Sequence, residues 1–129
     1  MATLTENAPL IAIVDDDESV RRALVRLLRS RGFAADAFAS SEEFLQSAAV
    51  REASCLICDV RMPGISGLEL QARMTGQNLR VPIVFITAFH DLRMQWKALE
   101  AGAVCFLKKP FNSKDLIECV ERALMTSTI

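Results

Sequence analysis

The sequence predicts an α/β fold: a doubly wound sheet of five parallel strands with five helices covering both of its faces. Two observations predict it. Short continuous apolar runs recur along the 129 residues, at 10–14, 55–58, 83–86 and 104–107, and runs of this length without alternation read as strands buried on both sides. Between them lie segments with apolar residues at helical spacing, the alternation that builds parallel sheets through right-handed crossovers.

Each element follows in order. Strand one covers 10–14. A helix runs from about 18 to 31, with Val20, Leu24, Leu27 and Leu28 as its apolar stripe and Gly32 as its stop. Strand two, 33–38, alternates weakly. Ser40 with Glu43 reads as a capping box that opens a second helix to about 50. Strand three is 55–59, and Met62-Pro63-Gly64 turns the chain into a third helix from about 66 to 75. Pro82 introduces strand four, 83–87, and a fourth helix runs from about 91 to Gly102. Strand five is 104–108. Asn112 with Asp115 caps the last helix, whose stripe is Leu116, Val120, Ala123 and Leu124. No repeat, linker or low-complexity stretch divides the chain, so one domain over 1–129 is expected.

Fifteen basic and 16 acidic residues leave a formal net charge of −1, which gives no electrostatic reason to expect a nucleic-acid or membrane surface. No apolar stretch approaches the ~20 residues that cross a bilayer, and no signal-peptide core opens the chain. A cytoplasmic protein without a membrane partner is the expectation. Cys55 and Cys58 have C-x-x-C spacing, but residues three apart on a strand point to opposite faces. Cys105 lies in another apolar run and Cys119 on a helical stripe, and all four read as small buried hydrophobes.

The apolar runs end in residues of different chemistry. The first enters Asp15-Asp16-Asp17, the second Asp59, the third Thr87 and the fourth Lys108-Lys109-Pro110. In an open parallel sheet, function collects outside the carboxyl ends of the strands. A helix start accounts for Asp17 and Glu18, since its dipole favours negative charge. It does not account for Asp59 at the same end of the sheet. Carboxylates about 4 Å apart repel by about 4 kcal/mol at an effective dielectric of ~20, so the crowding points to a cation, and hard oxygen ligands suit Mg²⁺. Asp59 is the candidate nucleophile, able to form an aspartyl-phosphate, with charge neutralisation from the metal and a lysine. Either Lys108 or Lys109 supplies that lysine, because strand alternation lets only one point into the site. The Lys109-Pro110 bond is a candidate cis bond.

The Thr87 hydroxyl is placed to bond a phosphoryl oxygen. Phe106, on the strand beside it, is either core or a ring that changes rotamer when Thr87 moves. On the fourth helix Met94, Ala98 and Ala101 form one apolar stripe, and Leu92, Trp96 and Leu99 form a second on roughly the opposite side. A helix packed on one sheet face needs only one stripe, so the second is either covered by loops or a partner surface. Arg22, Arg26 and Arg29 make a basic stripe on the first helix, read chiefly as a solvated face.

These segments resemble the receiver domain of bacterial two-component response regulators over nearly the whole chain. Carrying the resemblance are Ile13-Val14-Asp15-Asp16-Asp17, Cys58-Asp59-Val60-Arg61-Met62-Pro63-Gly64-Ile65-Ser66-Gly67, Ile86-Thr87-Ala88 and Lys109-Pro110-Phe111. The resemblance implies a flavodoxin-like sheet of strand order 2-1-3-4-5. It makes Asp59 the phosphoacceptor for a sensor histidine kinase, with Mg²⁺ held at Asp59, at Asp16 directly, at Asp15 through water and at the Arg61 backbone carbonyl. Thr87 becomes the switch hydroxyl, Lys109 the phosphate partner and Phe106 the switch aromatic. Such a protein is not an enzyme beyond catalysing its own phosphotransfer and dephosphorylation.

The wording of Arg61-Met62-Pro63-Gly64-Ile65-Ser66-Gly67 and Ala101-Gly102-Ala103-Val104 is most similar to a subgroup whose receivers precede a helix-turn-helix DNA-binding domain. The implied output is transcription, controlled by a switching surface on the fourth helix and strand five. The second stripe itself, rather than the resemblance, places Leu92, Trp96 and Leu99 on that surface, which would pair two copies on phosphorylation or meet an output domain. DNA would be reached only through an output domain that this chain lacks. By the same analogy the first helix adjoins the kinase, which makes its arginines an alternative docking stripe. Phe89-His90 departs from the small residues expected after Thr87-Ala88, which bears on access to the phosphoryl group. His90, the only histidine, is assigned no role.

Two rivals remain at this level. One is a Mg²⁺-dependent phosphohydrolase, because Asp15-x-Asp17 is similar to the haloacid-dehalogenase motif with Asp15 as nucleophile. Glu18-Ser19 stands where that motif continues with Gly-Thr. The other is a degenerate receiver used only as a dimerisation scaffold.

Overall fold

The computed structural model describes residues 8–89 and 91–127. Strands β1 (Leu10–Val14), β2 (Ala34–Phe38), β3 (Cys55–Asp59), β4 (Ile83–Thr87) and β5 (Cys105–Lys108) form one parallel sheet in the order β2-β1-β3-β4-β5. Register pairs Val14 with Cys58, Asp59 with Ile86 and Thr87 with Lys108, so four strands finish side by side. No helix among the described residues is long and apolar enough to cross a membrane.

Strand alternation divides the core in two. Ile11, Ile13, Ile57, Val84 and Ile86 pack with Leu24 and Leu28 of α1 (Glu18–Ser30) and with Leu116 and Val120 of α6 (Ser113–Ser127). Ala12, Val14, Leu56, Cys58 and Phe85 face the other way. They meet Phe44 of α2 (Ser41–Leu45), Val50 of α3 (Ala49–Glu52), Leu70 and Met74 of α4 (Gly67–Gly76) and Ala98 of α5 (Leu92–Glu100). Fully burying each large side chain contributes about 1.5–3 kcal/mol.

Among the described residues there are six helices where five were expected, because the second predicted helix is split into α2 and α3. The Ser47 N–H and hydroxyl both donate to the Phe44 carbonyl, at 3.0 and 2.7 Å, claiming the acceptor that a continuing helix offers four residues on. Ser40 caps α2 as expected, accepting from the Glu43 N–H at 3.1 Å, but the Glu43 carboxylate returns to the Ala39 N–H. The reciprocal capping box stands instead at Ser66 and Glu69, where it starts α4.

Cys55 and Cys58 lie on opposite faces of the sheet, as strand geometry requires. The expectation for the other two cysteines is overturned: Cys105 and Cys119 are joined as a disulfide, with Cα atoms 6.0 Å apart. Their two apolar stripes meet because α6 packs on the face toward which Cys105 points.

Candidate functional site

The site is built on residues at, or just after, the carboxyl ends of β1, β3, β4 and β5. Asp15 follows β1 and is fully buried. Its Oδ1 accepts the Asp17 N–H at 2.9 Å, and Arg21 donates to its backbone oxygen at 2.7 Å. Asp16 is exposed. Asp17 is spent on the helix start, where its carboxylate caps α1 by accepting from the Ser19 and Val20 N–H groups. Asp59 ends β3, is 7% exposed and accepts the Arg61 N–H at Oδ1, 3.2 Å away.

Lys109 resolves the choice between the two lysines. Its Nζ reaches Asp15 Oδ2 at 2.8 Å and Asp59 Oδ2 at 3.3 Å, while Lys108 is exposed. The Lys109 N–H bonds the Thr87 carbonyl at 2.7 Å, and the Lys109-Pro110 peptide is cis. One carboxylate oxygen from each of Asp15, Asp16 and Asp59 lies within 4.8 Å of the others.

This crowding sets the electrostatics. Burial pushes the Asp59 carboxyl above its ordinary value; Lys109 opposes the rise, the Asp15 charge adds to it, and the Arg61 N–H works against it. Burial alone would lower the Lys109 ammonium, but its bond to Asp15 and the charges of Asp15 and Asp59 outweigh that and raise it. Lys109 therefore stays charged at neutral pH. Three carboxylates against one ammonium leave negative charge over, and the donors are all hard oxygens, so the residues fit a divalent ion such as Mg²⁺.

Thr87 is buried at the end of β4, and its Oγ1 lies 3.1 Å from both the backbone N and the backbone O of Phe89. Phe106 is partly buried and pairs in register with Phe85, ring centroids 6.3 Å apart. Away from this cluster, Leu92, Trp96 and Leu99 are 72%, 63% and 40% exposed on α5. Ala98 is buried and Met94 half-buried on the inward stripe of α5, but Ala101 caps the helix and is exposed, so that stripe is shorter than expected. On α1 the basic stripe is partly engaged: Arg22 pairs with Glu18 at 3.1 Å and Arg29 bonds the Ala35 carbonyl at 3.1 Å. His90 lies outside the described residues.

Two features were not anticipated. Gly67 sits where a Cβ would strike the Asp59 carbonyl oxygen and come within 3.0 Å of the Phe85 ring and of Val60, so a glycine lets α4 start against the end of β3. The Arg61 guanidinium lies 5.0 Å from the centroid of the Phe89 ring. The bulk of Phe89 is visible in the sequence, but its partner comes from a different loop.

Residues 11–121 match the family model for the response regulator receiver domain. The chain is 44% identical over 114 residues to Nodulation protein W of Bradyrhizobium diazoefficiens, covering 88% of this chain and 50% of that protein. It is 40% identical over 113 residues to the transcriptional regulatory protein FixJ of Rhizobium meliloti, covering 88% of this chain and 55% of the relative. The chain thus spans about half the length of these relatives. Among solved structures, the response regulator StyR superposes with a TM-score of 0.88 at 43% identity, over 94% of this chain and 61% of that one.

Proposed function

The chain belongs to the response regulator receiver domain family, and from that premise we propose that Asp59 is its phosphoacceptor, serving a sensor histidine kinase. One observation carries the reading. A single ammonium, Lys109 Nζ, is shared between Asp15 at 2.8 Å and Asp59 at 3.3 Å at the carboxyl edge of the sheet, where one nucleophilic carboxylate and one fixed positive charge face the same volume.

In the transfer, an Asp59 carboxylate oxygen forms a bond to phosphorus as the bond from phosphorus to the donor's imidazole nitrogen breaks. The imidazole keeps that electron pair. Burial leaves the Asp59 carboxylate poorly solvated, which removes water from the attacking group and strengthens every charge contact around it. Lys109 holds its proton throughout and follows the charge onto the phosphoryl oxygens. The Arg61 N–H, already on Asp59 Oδ1, fixes the carboxylate plane. Asp15, Asp16 and Asp59, with the Arg61 carbonyl, would hold Mg²⁺, which when bound neutralises charge on the transferred group. The new group brings about −1.5 to −2 charges and strong acceptor oxygens, and Thr87 is the hydroxyl that turns to meet it.

The proposed output is transcription, exercised through a DNA-binding partner domain. The switching surface is α5 and β5, with Phe106 responding to Thr87 and with Leu92, Trp96 and Leu99 pairing two copies. The intact mass of wild type and Asp59→Asn after acetyl phosphate, with and without Mg²⁺, tests the reading. A single phosphoryl group gained only by wild type, and only with Mg²⁺, is expected. A gain on both proteins moves the nucleophile elsewhere, with Asp15 next in line.

A further inference from the structure

The Thr87 hydroxyl has one proton to give, and Phe89 takes it. Oγ1 donates to the Phe89 carbonyl at 3.1 Å and accepts the Phe89 N–H at 3.1 Å. Held so, the buried hydroxyl has no donor left for a phosphoryl oxygen on Asp59. Phe89 is 60% exposed, yet its ring is not free: the Arg61 guanidinium carbon lies 5.0 Å from the ring centroid. Arg61 is tied in turn to the acceptor, its N–H bonding Asp59 Oδ1 at 3.2 Å. One side-chain contact thus joins the loop after β3 to the loop after β4, beside the two residues that the switch must bring together.

We infer that the Arg61–Phe89 stack is a latch. It holds the Phe89 backbone where that backbone captures Thr87 Oγ1, and its opening frees Thr87 to bind the phosphoryl group. The inference rests on the reading of Asp59 as phosphoacceptor. Arg61 and Phe89 are positioning residues here, acting through Thr87. A cation over an aromatic ring at an exposed site shifts a two-state population by a factor of about two to five, enough to bias the switch without locking it. The attraction follows the ring's quadrupole, so an indole strengthens it and an aliphatic side chain of similar bulk abolishes it. A steric lid would rank those side chains differently.

That difference gives the test. Phe89→Ala, Phe89→Leu and Phe89→Trp are made in the whole chain, each with Arg61 and with Arg61→Ala. Two quantities are read: hydrogen exchange of the residue-89 amide, corrected for intrinsic rate, and the initial rate of phosphoryl gain from acetyl phosphate with Mg²⁺. The latch requires Phe89→Ala and Phe89→Leu to raise both by about two- to five-fold, Phe89→Trp to lower both, and all three effects to vanish over Arg61→Ala. A Phe89→Leu protein as slow as wild type, or effects that persist without Arg61, overturns it. The exchange readout needs no phosphate, so the two failures are distinguishable. Unchanged exchange in a protein that is phosphorylated on Asp59 overturns the latch alone. Exchange that follows the expected order in a protein that takes no phosphoryl group overturns the acceptor reading, and the latch's role with it.

Discussion

Residue 59 shows what the site costs the fold. Its carboxyl is raised, chiefly by burial, so the native state binds that proton more tightly than the unfolded chain does. Stability from this group is complete below the ordinary carboxyl range and is lost as pH rises through the raised native value. At neutral pH without a divalent cation, Asp59 therefore costs the fold stability, and Asp59→Asn removes the penalty along with one member of the acidic cluster. The variant in chelator is expected to melt a few degrees above wild type at pH 7, since about 1 kcal/mol corresponds to roughly 2–8 °C in domains near this size. The gap closes as the pH falls below about 4. Mg²⁺ reverses the order, because a ligand that binds only the native state stabilises by mass action and the variant has lost a ligand. Thermal melts of both proteins across this pH range, in chelator and in Mg²⁺, check the sign. A variant that melts lower at pH 7 in chelator would mean that the Lys109–Asp59 attraction outweighs the crowding.

Helix α4 carries the next constraint, and it acts oppositely at its two ends. Alanine is the better helix former by about 0.8–1.0 kcal/mol, so propensity alone favours replacing both of its glycines. At Gly67 a Cβ meets the Asp59 carbonyl, the Phe85 ring and Val60, and overpacking of that kind costs about 1–3 kcal/mol. At Gly76 nothing lies within 4 Å. Urea unfolding is therefore expected to show Gly67→Ala destabilised and Gly76→Ala stabilised by about 0.4–1 kcal/mol; equal effects would remove the packing argument. The same scale shows what a sequence displays. β1, β3 and β4 run over the residues expected of them, because strands buried on both faces leave uninterrupted apolar runs. β2 was fainter because only Ala35 is buried in it. The break after α2 depends on the Ser47 hydroxyl choosing the Phe44 carbonyl, a competition that periodicity does not register. The Cys105–Cys119 and Arg61–Phe89 contacts each join separate elements, so they exist only once the sheet has brought those elements together. The acids, the threonine and the lysine were legible for the converse reason: each stands at the end of a strand whose burial announces it.

On the scale of the whole molecule, the question is how a charge added at Asp59 reaches a partner. Thr87 is bonded to Phe89, and Phe89 lies two residues before Asp91, whose carboxylate caps α5 by accepting from the Arg93 and Met94 N–H groups. Drawing Thr87 toward a phosphoryl group breaks that bond and releases the segment that leads into the amino end of α5. The outer side of that helix carries Leu92, Trp96 and Leu99, all exposed, at spacings of four and three residues that align them along one ridge. Exposed apolar side chains gathered on one face mark a contact surface more often than a solvated one. In the proposed dimer that ridge would meet its own copy across a two-fold axis, each Trp96 set against the partner helix. A coupling of about 1–3 kcal/mol tightens such pairing by roughly 5- to 150-fold. Sedimentation velocity at micromolar concentration is then expected to find monomer before acetyl phosphate and Mg²⁺ and dimer after. Trp96→Glu places a charge at the centre of the ridge, where desolvating it opposes association, yet leaves the acidic cluster and Lys109 untouched. That variant is expected to gain the phosphoryl group at the wild-type rate and remain monomeric. If it dimerises as wild type does, the pairing surface lies elsewhere and the release at the amino end of α5 serves a different contact. If it fails to take the phosphoryl group, the substitution has disturbed the acceptor site itself, and the separation of pairing ridge from site is wrong.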